Sequence, residues 1–150
     1  MPDEASEGNA EAVEPLAARV DHLFQTIKPR GGREYSFEEV AEAIRTRGGP
    51  TISATYIWQL RRGLRNNPTM KHVEALAGFF GVPPAYFFDD DTTHRIDAEL
   101  ALLTAVRDSS VRQIALRASG LSAKSLVAIT EMVERVRELE GLPDLPEPDL

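Results

Sequence analysis

With 150 residues, 42% of them apolar, the chain can build one packed domain with an appended element, and its lack of cysteine excludes disulfides, thiolate zinc sites and cysteine nucleophiles. Its net charge of −7 disfavours a polyanionic partner, but only on average. Between Lys28 and His72 nine basic residues stand against four acids, a local balance of +5, and a local field of that sign steers a polyanion.

Residues 1–12 are acidic and polar and are expected to be disordered. They lack the basic start and apolar run of a secretory leader, and no stretch approaches the roughly 18 apolar residues of a membrane span; the expected location is the cytoplasm. Leu16, Val20, Leu23, Phe24 and Ile27 recur at helical spacing and predict a first helix, closed by Pro29, Gly31 and Gly32. Ser36 followed by Glu39 is a capping box, with Tyr35 and Val40 placed for a hydrophobic staple; a second helix with Val40, Ala41 and Ile44 inward runs to Gly48-Gly49-Pro50. Ser53 caps a third helix that ends near Gly63. A fourth begins around Pro68-Thr69 and buries Val73, Leu76, Ala77 and Phe80. VPPAYFF reads as a short fifth helix or turn that packs its aromatics, and the acidic run Asp89-Asp90-Asp91 marks a boundary.

Three further helical stretches follow: His94 to Arg107, Val111 to Ser119 and Ser122 to Glu140. The last carries Leu126, Ile129, Val133 and Val136 on one stripe. Such a stripe serves a monomer's own core or a second copy equally well, and the second copy is preferred because twofold symmetry doubles DNA contacts. The expected fold class is all-α: a five-helix helix-turn-helix domain over 13–91, a helical dimerisation region over 92–140 with those four residues at the interface, and a mobile, proline-rich acidic tail over 141–150.

SATYIWQLRRGLRNNPT is the informative segment. On a helix, Ile57 and Leu60 face inward while Thr55, Trp58, Gln59 and Arg62 form the opposite stripe. Hydrogen-bonding, planar and cationic side chains in one stripe are the types that read base edges and clamp phosphates. A helix this short enters a groove only when another helix holds it, which the turn at Gly48-Gly49-Pro50 allows. Arg61 lies nearer the core side, where it can pair with an acid.

The pattern SxxYIxQLRxG followed by NPT, VEALAGFFGV and YFF resembles the XRE family of helix-turn-helix regulators, over residues 36 to 88. The chain from Leu16 to Glu140 is also similar to the EspR-type regulators of actinobacteria, and AVRDSSVRQIALRASGLS resembles their C-terminal, dimer-forming region. The resemblance implies a DNA-binding transcription regulator with a nucleoid-associated role. It implies base-facing positions for Ala54, Thr55 and Gln59 and phosphate-proximal ones for Ser53 and Arg62. Trp58, Arg65, Asn66, Asn67 and Lys71 complete the candidate DNA-binding set. Arg61 departs from a position that is often acidic in the wider family, and Trp58 from one that is often small.

His22, His72 and His94 are scattered and have no second ligand at metal spacing, so no metal is expected. Glu131 and Glu134 share a helix face, where paired carboxylates are ordinarily solvated. No catalytic motif, phosphate-binding glycine loop, cofactor site or small-molecule sensor is apparent, and enzymatic activity is not expected. The alternative is a protein-interaction adaptor or antitoxin on the same scaffold, with Trp58 as a contact residue.

Overall fold

A computed structural model describes residues 15–145; the acidic segment 1–12 and the end of the tail, 146–150, lie outside the described residues. The described residues form seven α-helices and one 3₁₀ turn, with no strand among them. No helix among them is long and apolar enough to cross a membrane.

The helices begin and end where local hydrogen bonding demands. Helix α1 (Pro15–Thr26) buries Ala17, Val20, Leu23 and Phe24. Leu16 and Ile27, expected on the same stripe, are only half-buried: Leu16 lies in the first turn of the helix and Ile27 just past its last residue. Helix α2 (Phe37–Thr46) opens with the full capping box: the Glu39 N–H donates to Ser36 Oγ (3.1 Å) and the Ser36 N–H to Glu39 Oε1 (3.2 Å). Helix α3 (Ala54–Arg62) is capped by Ser53, and α4 (Met70–Phe80) by Thr69. The fifth element is a 3₁₀ turn (Pro84–Phe87). It buries Tyr86 and Phe87 but leaves Phe88 60% exposed, so not all of its aromatics pack.

These elements enclose one core. Helix α1 and α2 both pack on α3, α2 also meets α4, and the 3₁₀ turn sits against α1 and α4. Phe24 is fully buried, with Phe37 and Phe80 at centroid distances of 5.3 and 5.1 Å in tilted and edge-on contact. Tyr35, ahead of the capping box, sets its ring edge-on to Phe79 of α4 at 5.1 Å.

One compact unit runs to Ile96 and a second begins at Asp97. The acidic run opens helix α5 (Asp90–Ala105) instead of breaking the chain. Asp89 accepts the Thr92 N–H at 3.1 Å, and carboxylates in a first turn complement the helix dipole. The helix expected from His94 therefore starts earlier, and Thr93, whose hydroxyl donates to the Tyr86 carbonyl, and Ile96 are buried. In the second unit Asp108 caps α6 (Ser109–Ala118) and Ser122 caps α7 (Ala123–Leu139). Neither α6 nor α7 contains a buried residue.

The capping box makes α2 acid-sensitive. Hydrogen bonds from the Arg33 guanidinium, and then from the Ser36 N–H, lower the Glu39 carboxyl from an ordinary 4.5 to about 2. A depressed carboxyl contributes stability above its unfolded value and loses it as pH falls through the folded one. The melting temperature of the chain should therefore exceed that of Glu39→Gln at pH 6, and the gap should close between pH 4.5 and 2. A gap that stays constant down to pH 2 would show that the charge of Glu39 contributes nothing.

Candidate nucleic-acid interface

Segment 47–53 turns the chain from α2 into α3. Gly48 has φ +79°, and a Cβ on Gly49 would stand 2.9 Å from Ile44 Cγ2 and 3.0 Å from the Ile44 carbonyl oxygen. The turn closes on backbone, with the Gly49 N–H donating to that carbonyl at 3.0 Å, so a side chain at 49 would push the entry to α3 aside. Ile52 then anchors the turn in the core. Ser53 Oγ accepts the Tyr56 N–H at 3.0 Å, which leaves its hydroxyl proton available to an outside acceptor.

Ile57 and Leu60 are fully buried, which fixes the roll of α3. The opposite face then holds Thr55, Trp58 (39% exposed) and Arg62 in the open, with Gln59 half-buried beside them. The Arg62 guanidinium lies 6.0 Å from the Trp58 ring centre, at the outer limit of a cation–π contact. Gly63 ends the helix at φ +78°, and the N–H groups of Leu64 and Arg65 turn back onto the Gln59 carbonyl at 2.9 and 3.3 Å. That reversal carries Arg65, Asn66 and Asn67 outward past the end of α3, where all three are exposed; Lys71, in the first turn of α4, is exposed as well, and Ala54 is half-buried beside Thr55. The structure thus brings Thr55, Trp58, Gln59 and Arg62 onto one face and sets Arg65 to Asn67 at its end.

The basic residues of the middle segment divide into two kinds. Arg33 pairs with Glu39, and Arg45 with Glu42 on its own helix. Arg61 donates from Nε to Asp21 at 2.8 Å and from Nη2 to Glu34 at 2.7 Å. Its guanidinium also lies 4.8 Å from the Phe24 ring centre, and its side chain is only 17% exposed. Desolvation works against that charge, but the bonds to Asp21 and Glu34 outweigh it, and the guanidinium's affinity for its proton is raised. Arg62, Arg65 and Lys71 form no ion pair among the described residues, so the acids of the segment neutralise its flank and leave the α3 edge cationic. Arg47 reaches the other way: its Nη1 donates to the Gly78 carbonyl at 3.3 Å and its guanidinium lies over Phe79. Neither role of Arg47 has a local sequence signal, since both partners lie more than one element away.

Leu126, Val133 and Val136 of α7 are exposed and Ile129 is half-buried; Leu126 and Val133 are joined on the same helix by exposed Val127 and Met132. Among the described residues no group of three or more His, Asp or Glu side chains is placed to hold a metal.

No protein-family profile matches the chain. It is 40% identical over 127 residues to the nucleoid-associated protein EspR of Mycobacterium tuberculosis, strain CDC 1551 / Oshkosh, and to that of strain ATCC 25618 / H37Rv. In each case the match spans 85% of this chain and 96% of the relative.

Proposed function

The chain belongs to the family of the nucleoid-associated protein EspR, and from that premise we propose that it is a DNA-binding regulator of the bacterial nucleoid that inserts α3 into the major groove. The observation that carries this reading is the division of α3 into two faces. Ile57 and Leu60 are sealed in the core, while Thr55, Trp58, Gln59 and Arg62 face outward with Arg65 beyond them and no acid on the exposed stripe. Helix α2 and the closed turn at Gly49 hold α3 as the supporting half of a helix-turn-helix does. Thr55 and Gln59 reach base edges, with Ala54 close enough for an apolar contact. Ser53, Arg62, Arg65, Asn66, Asn67 and Lys71 hold phosphates. Trp58 packs against sugar or a thymine methyl.

Two such helices act together in a homodimer built from residues 94 to 140. Two amphipathic helices with no buried residue leave an apolar stripe that water does not tolerate well, and a second copy covers it symmetrically. Residues 13–91 then form the DNA-binding domain and 92–140 the dimerisation region. Regulation of transcription and architectural binding at many sites both follow from this arrangement, and both place the protein on the nucleoid in the cytoplasm.

Titration of duplex DNA tests the reading. Log affinity should fall with log salt by about 0.9 per phosphate neutralised, hence by up to about 3 per protomer from Arg62, Arg65 and Lys71. Gln59→Ala should cost about 1–3 kcal/mol on a preferred site and relax preference at one position, whereas Arg62→Ala should weaken all sequences alike. Salt-independent or absent binding defeats the proposal. Equal losses by Gln59→Ala on preferred and random duplex would remove Gln59 from base reading.

A further inference from the structure

A cavity of about 290 Å³ opens beside the α3 edge. Leu16, at the start of α1, lines it together with Asn66, Asn67, Pro68, Met70 and Phe88. Its apolar wall is open to solvent, with Met70 57% and Phe88 60% exposed. On either side of the Asn66–Met70 stretch stand Arg65 and Lys71, two of the cations without an ion pair among the described residues. The first turn of α1 and the phosphate-facing loop after α3 therefore share one groove.

Pro15, the first residue of α1, directly precedes Leu16 of this groove. Residues 1–14 hold five acids, Asp3, Glu4, Glu7, Glu11 and Glu14, and no base. Ala12 and Val13 are the apolar residues nearest the groove in sequence. An extended chain covers at most roughly 3.5 Å per residue, so Glu7 reaches no further than about 28 Å from Pro15.

We propose that residues 1–14 dock in this groove as an intramolecular competitor of DNA, with Ala12 and Val13 on the apolar wall and the carboxylates on Arg65, Lys71 and Arg62. A tethered anion acts at high effective concentration, so pairs that are weak singly compete together. The inference rests on the DNA-binding reading of the α3 edge. It adds that the chain's own acidic segment lowers the affinity of that edge, and that this competition weakens as salt screens it. DNA that displaces the segment gives back some of the ion release it would otherwise gain, so the full chain should show a shallower salt dependence than a chain whose segment is neutral.

The test compares two full-length variants with identical net charge. One carries Asp3→Asn, Glu4→Gln, Glu7→Gln and Glu11→Gln. The other carries Glu140→Gln, Asp144→Asn, Glu147→Gln and Asp149→Asn at the far end of the chain. On random duplex at low salt the first should bind about tenfold tighter than the unaltered protein, the sum of several exposed ion pairs removed at once, and the second less than about twofold tighter. The difference should vanish at about 0.5 M salt, where the screening length is roughly 4 Å. Equal gains by both variants, or none by either, overturn the competitor and leave the DNA-binding reading standing. If no variant binds DNA, the DNA-binding reading fails, and the backbone amide resonances of Asn66, Asn67 and Lys71 decide the docking alone. A shift in the first variant and not in the second sustains it; unchanged resonances end it.

Discussion

A Leu60→Ala chain is expected to lose about 2–5 kcal/mol of folding stability, a large share of the roughly 5–15 kcal/mol that holds a small domain together. Leu60 is fully buried on the inward face of α3, where α1 and α2 both pack. Alanine there removes apolar contact and leaves a void that the surrounding core fills only in part. Because the same face sets the roll of α3, duplex affinity should fall with the folded fraction. Leu60→Met, which keeps the volume, should cost less than about 1.5 kcal/mol. Chemical denaturation followed by circular dichroism measures both. A Leu60→Ala chain within about 1 kcal/mol of the parent would mean that the α3 seat collapses readily and that the helix is held chiefly by its flanking ion pairs.

Val133→Glu is expected to convert the proposed dimer to monomer. Val133 is 46% exposed in the isolated chain and lies on the α7 stripe with Leu126, Ile129 and Val136. A carboxylate enclosed between two copies without a partner costs several kcal/mol in each, enough to dissociate an interface of ordinary strength. In the monomer the same glutamate faces water and costs little, so helical content should be retained. Sedimentation of parent and variant decides this. A parent chain that is monomeric at micromolar concentration removes the dimer. A variant that remains dimeric moves the interface away from this stripe. DNA affinity should fall in step with dissociation, since each monomer keeps one copy of the proposed reading helix.

Arg61 and its neighbour Arg62 separate what was legible in the chain from what was not. Helical periodicity already turned Arg61 toward the core side and Arg62 outward, as in the fold. That Arg61 meets an acid was foreseeable. Which acids it meets was not: Asp21 lies 40 residues away on α1, and Glu34 lies in the loop after it. In the fold the cation sits on the α3 side and the acid on the α1 side.

The sequence by itself determined where most of the helices start and stop. Ser36 with Glu39, Ser53, Gly63, Thr69 and Gly81 act through hydrogen bonds and dihedral preferences that span a few residues, so their effect does not depend on the rest of the chain. It determined the buried stripes of α3 and α4 for the same reason, since a period of 3.6 is a local property. Only the tertiary structure decided the pairing of Tyr35 and Arg47 with Phe79, the half-burial of Leu16 at the cavity beside Asn66, and the burial of Thr93 and Ile96 beyond the acidic run. Each of these joins residues from elements distant in sequence, and the angle at which two helices cross depends on how both side-chain surfaces interlock. Acids at Asp89 to Asp91 are equally at home in a loop and in the first turn of a helix, and the choice fell to the helix because Thr93 and Ile96 find a core only if α5 begins there.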